Sequence, residues 1–113
     1  MDPSKILFSH SKICPVFSGC RKHLKDTLEE IKNGVLKIDS LPTITIIKND
    51  NNNFISLNNR RLWILKECKI LGLLDLIKVN IKDFSKLSKK TQHRYNNNTY
   101  SNEAKLEKKL IRK

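Results

Sequence analysis

The sequence predicts a small α+β domain, a mixed β-sheet with two main helices, followed by a basic C-terminal tail. Three observations predict it. Residues 24–31 and 59–71 place apolar side chains at helical spacing. A row of β-branched residues at 41–48, a polar tract and a short apolar return at 54–57 read as a hairpin. Residues 76–82 alternate apolar with polar, as a strand with one buried face does. At 113 residues the chain has room for one hydrophobic core.

In chain order, "KILFSH" (5–10) reads as a strand and "SKICPVFSGC" (11–20), with Pro15, Ser18 and Gly19, as an irregular loop. In "RKHLKDTLEEIKNG" (21–34), Leu24, Leu28 and Ile31 form a helical stripe and Gly34 occupies the place of a left-handed cap. "LPTITIIK" (41–48) and "FISL" (54–57) are the hairpin strands. From Asn59 a second helix directs Leu62, Leu65 and Cys68 inward and stops at Gly72. "LIKVNIK" (76–82) buries Ile77, Val79 and Ile81. The asparagine tracts "KNDNNN" (48–53) and "YNNNTY" (95–100) read as loop filler. Residues 1–85 thus form the domain and residues 86–113 the tail, partly disordered or, in "NEAKLEKKLIRK" (102–113), a marginal helix.

Charge is the strongest global signal. The chain carries 23 Lys plus Arg against 11 Asp plus Glu, a net of +12, which points to a polyanionic partner. Residues 1–85 hold 14 basic and 9 acidic side chains, whereas residues 86–113 hold 9 and 2, so the tail carries most of the excess. Three cysteines cannot all pair within one chain and no apolar leader is evident, so an intracellular, reducing compartment, cytoplasm or nucleus, is expected. No apolar run approaches the roughly 20 residues of a membrane span, so a soluble protein without a membrane partner is expected. Oligomeric state is not encoded legibly.

The most informative stretch is "FISLNNRRLWILKEC" (54–68), where Arg60 and Arg61 fall in the first turn of the second helix. Cations there oppose the helix dipole, at a cost of a few tenths to about 1 kcal/mol each. A bound anion reverses that sign, because helix-end amides and converging guanidiniums together form a phosphate or carboxylate site. The bland alternative is two arginines extended into water. Trp63 beside them either packs on the sheet or stacks on a base.

With an apolar strand before it and a helix after it, "SLNNRRLWILK" resembles the signature of the ParB and sulfiredoxin superfamily, in which a Gly-Glu-Arg-Arg or Gly-Cys-His-Arg motif opens a helix and binds nucleotide phosphates. The order of elements over residues 5–82 is similar to that fold, and the tail lies outside it. By this resemblance Asn58 takes the place of the motif glycine, Asn59 that of the glutamate or catalytic cysteine, and Arg60 and Arg61 those of the paired arginines. The resemblance implies a domain that binds nucleotide or nucleic-acid phosphate, with ATP or CTP and Mg2+ as cofactors and DNA nuclease activity as an extension. An amide at position 59 cannot act as a nucleophile. Clustered carboxylates for a metal nuclease are scarce, Asp26, Glu29 and Glu30 sharing one helix and Asp50 lying in a loop.

The resemblance also places the loop holding Ser18, Gly19, Cys20, Arg21 and Lys22 beside the phosphate. Cations at Arg21 and Lys22 would favour the Cys20 thiolate. This supports a competing reading, a sulfiredoxin-like reductase that uses ATP and Cys20 to repair an over-oxidised peroxiredoxin cysteine. A third reading is a basic adaptor of a ribonucleoprotein assembly that binds through the tail. Cys14, Cys20 and His23, with His10 nearby, lack a convincing fourth zinc ligand, so no metal site is expected.

Overall fold

The structure is a computed structural model that describes residues 1–10, 12–13, 23–98 and 100–106. A short 3-10 turn, Pro3–Lys5, capped by the Asp2 carboxylate, leads into β1 (Ile6–Leu7) and then β2 (Lys12–Ile13). Next come α1 (Leu24–Lys32), a 3-10 turn at Ile38–Ser40, and the hairpin of β3 (Ile44–Lys48) and β4 (Phe54–Ser56). The chain continues through α2 (Asn59–Ile70), β5 (Val79–Lys82), a 3-10 turn at Phe84–Lys86, α3 (Lys89–Asn97) and β6 (Lys105–Leu106).

Four strands form a mixed sheet in the order β1, β4, β3, β5. β1 runs parallel to β4, β4 antiparallel to β3, and β3 parallel to β5, with Ile46 opposite Ser56 on one side and Ile81 on the other. The protein is therefore a small α+β domain, with a four-stranded mixed sheet and three α-helices among the described residues. β2 and β6 pair separately in parallel, and Phe8 bridges Ser101.

Local chemistry accounts for the helix ends. Gly34 and Gly72 have φ of 74° and 75°, the left-handed region in which a Cβ is strained. At each, the amide of the following residue reaches back to a carbonyl of the last turn: Val35 N donates to Glu30 O and Leu73 N to Cys68 O, both at 2.8 Å. Two otherwise orphaned carbonyls are thereby satisfied.

The helices α1 and α2 cover one face of the sheet. Ile44 and Ile46 of β3 meet Leu24 and Ile31 of α1 and Leu62, Ile64, Leu65 and Cys68 of α2 in a single buried cluster. Leu24, Ile31, Leu62, Leu65 and Cys68 point inward as their spacing predicts. Ile64 is buried too, although it lies off that stripe. α2 packs on the sheet, on α1 and on the N-terminal turn at once, so more than one of its faces loses contact with water. The opposite sheet face is also covered, since Ile47 and Ile55, paired across β3 and β4, are fully buried outside that cluster.

Two expectations are corrected. Ile81 was expected to be buried and is 60% exposed, because β5 is the sheet's edge and the helical layer stops short of it. The asparagine tracts are structural and not filler. The buried Asn49 side chain accepts hydrogen bonds from the amides of Asn51 and Asn53, both at 3.0 Å, and donates to Tyr95 O at 2.9 Å. Asn96 accepts from the Asp50 amide and donates to the Asp50 carboxylate, while Asn51 donates to Asn96 O. Asn52 adopts φ of 64°, which asparagine tolerates better than most residues.

Within the 86–113 segment the described helix lies at Lys89–Asn97, where Ser88 caps the Thr91 amide, and residues 102–106 of the expected helix are not helical. There Lys105–Leu106 is a strand, and residues 107–113 lie outside the described residues. Among the described residues no helix is long and apolar enough to cross a membrane.

Candidate functional site

The strand-to-helix turn after β4 is built by its two asparagines. Asn58 occupies the N-cap position of α2, yet its side chain does not cap the helix. Its Oδ1 accepts from the Thr45 amide at 2.7 Å, and its own amide donates to Ser56 Oγ at 2.9 Å, closing the end of β4 onto β3. Although Asn58 takes the place of the motif glycine, its backbone is not left-handed: it has φ −129° and ψ 68°. The Thr45 hydrogen bond holds it in that other region, so glycine is not needed there.

Asn59 reaches across to the end of β1, its Oδ1 accepting from the Ser9 amide at 3.0 Å and its Nδ2 donating to Ser9 Oγ at 2.8 Å. Residue 59 is thus a positioning residue. It ties the end of β1 to the start of α2. Ser18, Gly19, Cys20, Arg21 and Lys22, with Cys14, lie outside the described residues.

Arg60 and Arg61 are half-buried in the first turn of α2, which contains no acidic residue. Arg61 Nη1 lies 3.2 Å from Thr43 O and 3.4 Å from Pro42 O, so its guanidinium stands at the start of β3. Pro42 and Thr43 also line a cleft of about 600 Å³ whose apolar wall includes Ile38, Leu65 and Ile77. Leu65, four residues beyond Arg61 on α2, is the helix residue that lines it. The remaining lining residues also come from the 38–44 and 76–78 segments, a neighbourhood the sequence does not announce.

Trp63 packs against the main core cluster. Cys68 is buried as expected, and burial, aided by the neighbouring Glu67, raises its thiol pKa, which disfavours the thiolate. Asp26 and Glu29 are exposed, and Glu29 pairs with Lys32 at 3.2 Å. Among the described residues no three His, Cys, Asp or Glu side chains gather as a metal site.

Lys66 escapes sequence reasoning altogether. Its ammonium lies 5.2 Å from the centre of the Phe8 ring and donates to Asn102 Oδ1. Burial lowers its pKa from 10.5 to about 8 against the opposing pull of Asp2 and Glu103. A lysine whose folded pKa is depressed holds its proton less tightly when folded. Its charge therefore opposes folding below pH 8, and the opposition fades as pH rises from about 8 toward 10.5. Lys66→Met should flatten this rise in stability, removing about 1 kcal/mol after allowance for solvent screening of a half-exposed group. Urea midpoints at pH 7 and pH 9.5 measure it. An unchanged pH slope in the variant would show that Lys66 is not its source.

Comparison of the chain with family models, curated proteins and solved structures finds no match.

Proposed function

We propose that the chain is a ParB-like domain that binds nucleotide or nucleic-acid phosphate at the start of α2. The observation that carries the reading is the combination of two guanidiniums in a helix's first turn with an N-cap residue whose side chain is turned away from the helix end. Such a terminus favours an anion through both its dipole and its amides. Arg61 reaches the carbonyls of Pro42 and Thr43, and the cleft these two residues line offers a place for the uncharged part of a nucleotide. Asn58 and Asn59 hold the turn, and Arg60 and Arg61 meet the phosphate. Nuclease activity has no supporting carboxylate cluster among the described residues, so binding is the function proposed.

Calorimetric titration with ATP and with CTP, each with Mg2+, tests the reading. The intact chain should bind one of them, and Arg60→Ala with Arg61→Ala should weaken binding at least tenfold, the loss of one or more charge-assisted hydrogen bonds. Unchanged affinity in the double variant, or no binding by the intact chain, would refute the site.

A further inference from the structure

A second cationic surface lies away from this turn. On α3 and the turn before it, Lys86, Lys89, Lys90, His93, Arg94 and Asn97 recur at intervals of three and four, and all are exposed. The intervening Thr91, Gln92, Tyr95 and Asn96 are half-buried and form the inner face. No acidic residue occurs from Phe84 to Asn102. None of Lys86, Lys89, Lys90 or Arg94 is ion-paired with a described residue. Like charges at helical spacing repel, and Lys89 and Lys90 also stand at the positive end of the helix.

Such a helix would not persist alone. It has nine residues, buries no side chain completely and lies below the length at which isolated helices are stable in water. Four hydrogen bonds to the β3–β4 turn hold it instead: Asn49 Nδ2 to Tyr95 O, the Asp50 amide to Asn96 Oδ1, Asn51 Nδ2 to Asn96 O, and Asn96 Nδ2 to Asp50 Oδ2. The Arg94 guanidinium is steadied 5.1 Å from the centre of the Tyr95 ring. The fold thus presents a self-repelling row of cations outward, on a helix fixed by polar contacts at its inner face.

We propose that the outer face of α3 docks on the phosphate backbone of a nucleic-acid duplex, independently of the α2 terminus. A duplex carries a charge every ~1.7 Å along its axis, so the roughly 12 Å from Lys89 to Asn97 spans several phosphates. A membrane surface fits less well, since a helix lying in a bilayer interface needs an apolar face to insert and the outer face of α3 has none. No exposed aromatic ring stands on that face to stack on unpaired bases, which favours a duplex over a single strand. Recognition is of backbone charge and not of base sequence. The two surfaces are spatially distinct: β4 runs from the turn that holds α3 to the turn that opens α2, so they sit at opposite ends of the strand.

The test is fluorescence anisotropy of a labelled 20-base-pair duplex against the full chain across a salt series. Replacing Lys86, Lys89, Lys90 and Arg94 together by glutamine should weaken binding about 50-fold at 100 mM salt and reduce the log–log salt slope by about 3 to 4. A variant with the same charge change elsewhere, with glutamine at Lys5, Lys25, Lys32 and Lys37, should stay within about fourfold of the intact chain. All four substituted cations are exposed, so the variant should keep its fold, read by circular dichroism. Equal losses in the two variants would overturn the proposal, leaving only net charge at work. Binding of polyglutamate or phosphatidylserine vesicles as tightly as the duplex would overturn it as well. The α3 variant should bind ATP or CTP as the intact chain does, so a loss of duplex binding at α3 is read separately from any failure of the α2 site.

Discussion

Ile46→Ala should lower the unfolding free energy by about 4 kcal/mol, while Ile81→Ala lowers it by less than about 1 kcal/mol. The two isoleucines are direct cross-strand partners, so their side chains share one face of the sheet. Ile46 is completely buried between Ser56 and Ile81 and beneath the α1 and α2 residues of the main core. Truncation there removes apolar atoms and leaves a void that surrounding strands and helices cannot collapse to fill. Ile81 is 60% exposed on the edge strand, so truncation opens no void. Urea unfolding with an unchanged slope gives both values. A cost at Ile81 equal to that at Ile46 would mean that β5 is covered and that the edge assigned to it is wrong.

Asn49→Ala comes next, with an expected cost of about 3 kcal/mol. The side chain is 4% exposed and has no unsatisfied atom: Oδ1 takes two turn amides and Nδ2 gives to the Tyr95 carbonyl. Alanine strands three backbone groups, each worth about 1 kcal/mol when its buried partner is withdrawn. The change should also loosen α3, which has little apolar burial to hold it. Amide hydrogen exchange should show protection lost over residues 92–98 while α1 and α2 keep theirs. Asn49→Asp keeps the acceptor and discards the donor, so it should rescue the turn but not the helix. Full protection of α3 in the alanine variant would contradict the asparagine clasp.

Both variants bear on how much of this protein can be read before it folds. The helix of residues 24–32, the hairpin and the helix of residues 59–70 follow from the spacing of apolar side chains and from Gly34 and Gly72 beyond the last turns. Those signals are local, because a helix or strand sets its own period along the chain. The candidate site was legible to the same extent: Arg60 and Arg61 do open a helix after a strand. The uses of Asn58 and Asn59 were not, since Thr45 and Ser9 lie 13 and 50 residues away. Nor was the cleft beside Arg61, which joins three separated segments. The cation spacing over residues 86–97 was present in the sequence and could have been seen as a helical stripe had the asparagine tract been given a partner.

By itself, then, the sequence determined the class of the fold, the identity of its elements, where the helices end and how strongly positive the surface is. Tertiary structure alone decided which isoleucine faces water, why two asparagine tracts matter, how Lys66 loses hydration and which face of α3 is outward. The reason is physical. Periodicity and capping depend on neighbours a few residues away, whereas burial and hydrogen-bond partnership depend on groups that become neighbours only when distant segments pack.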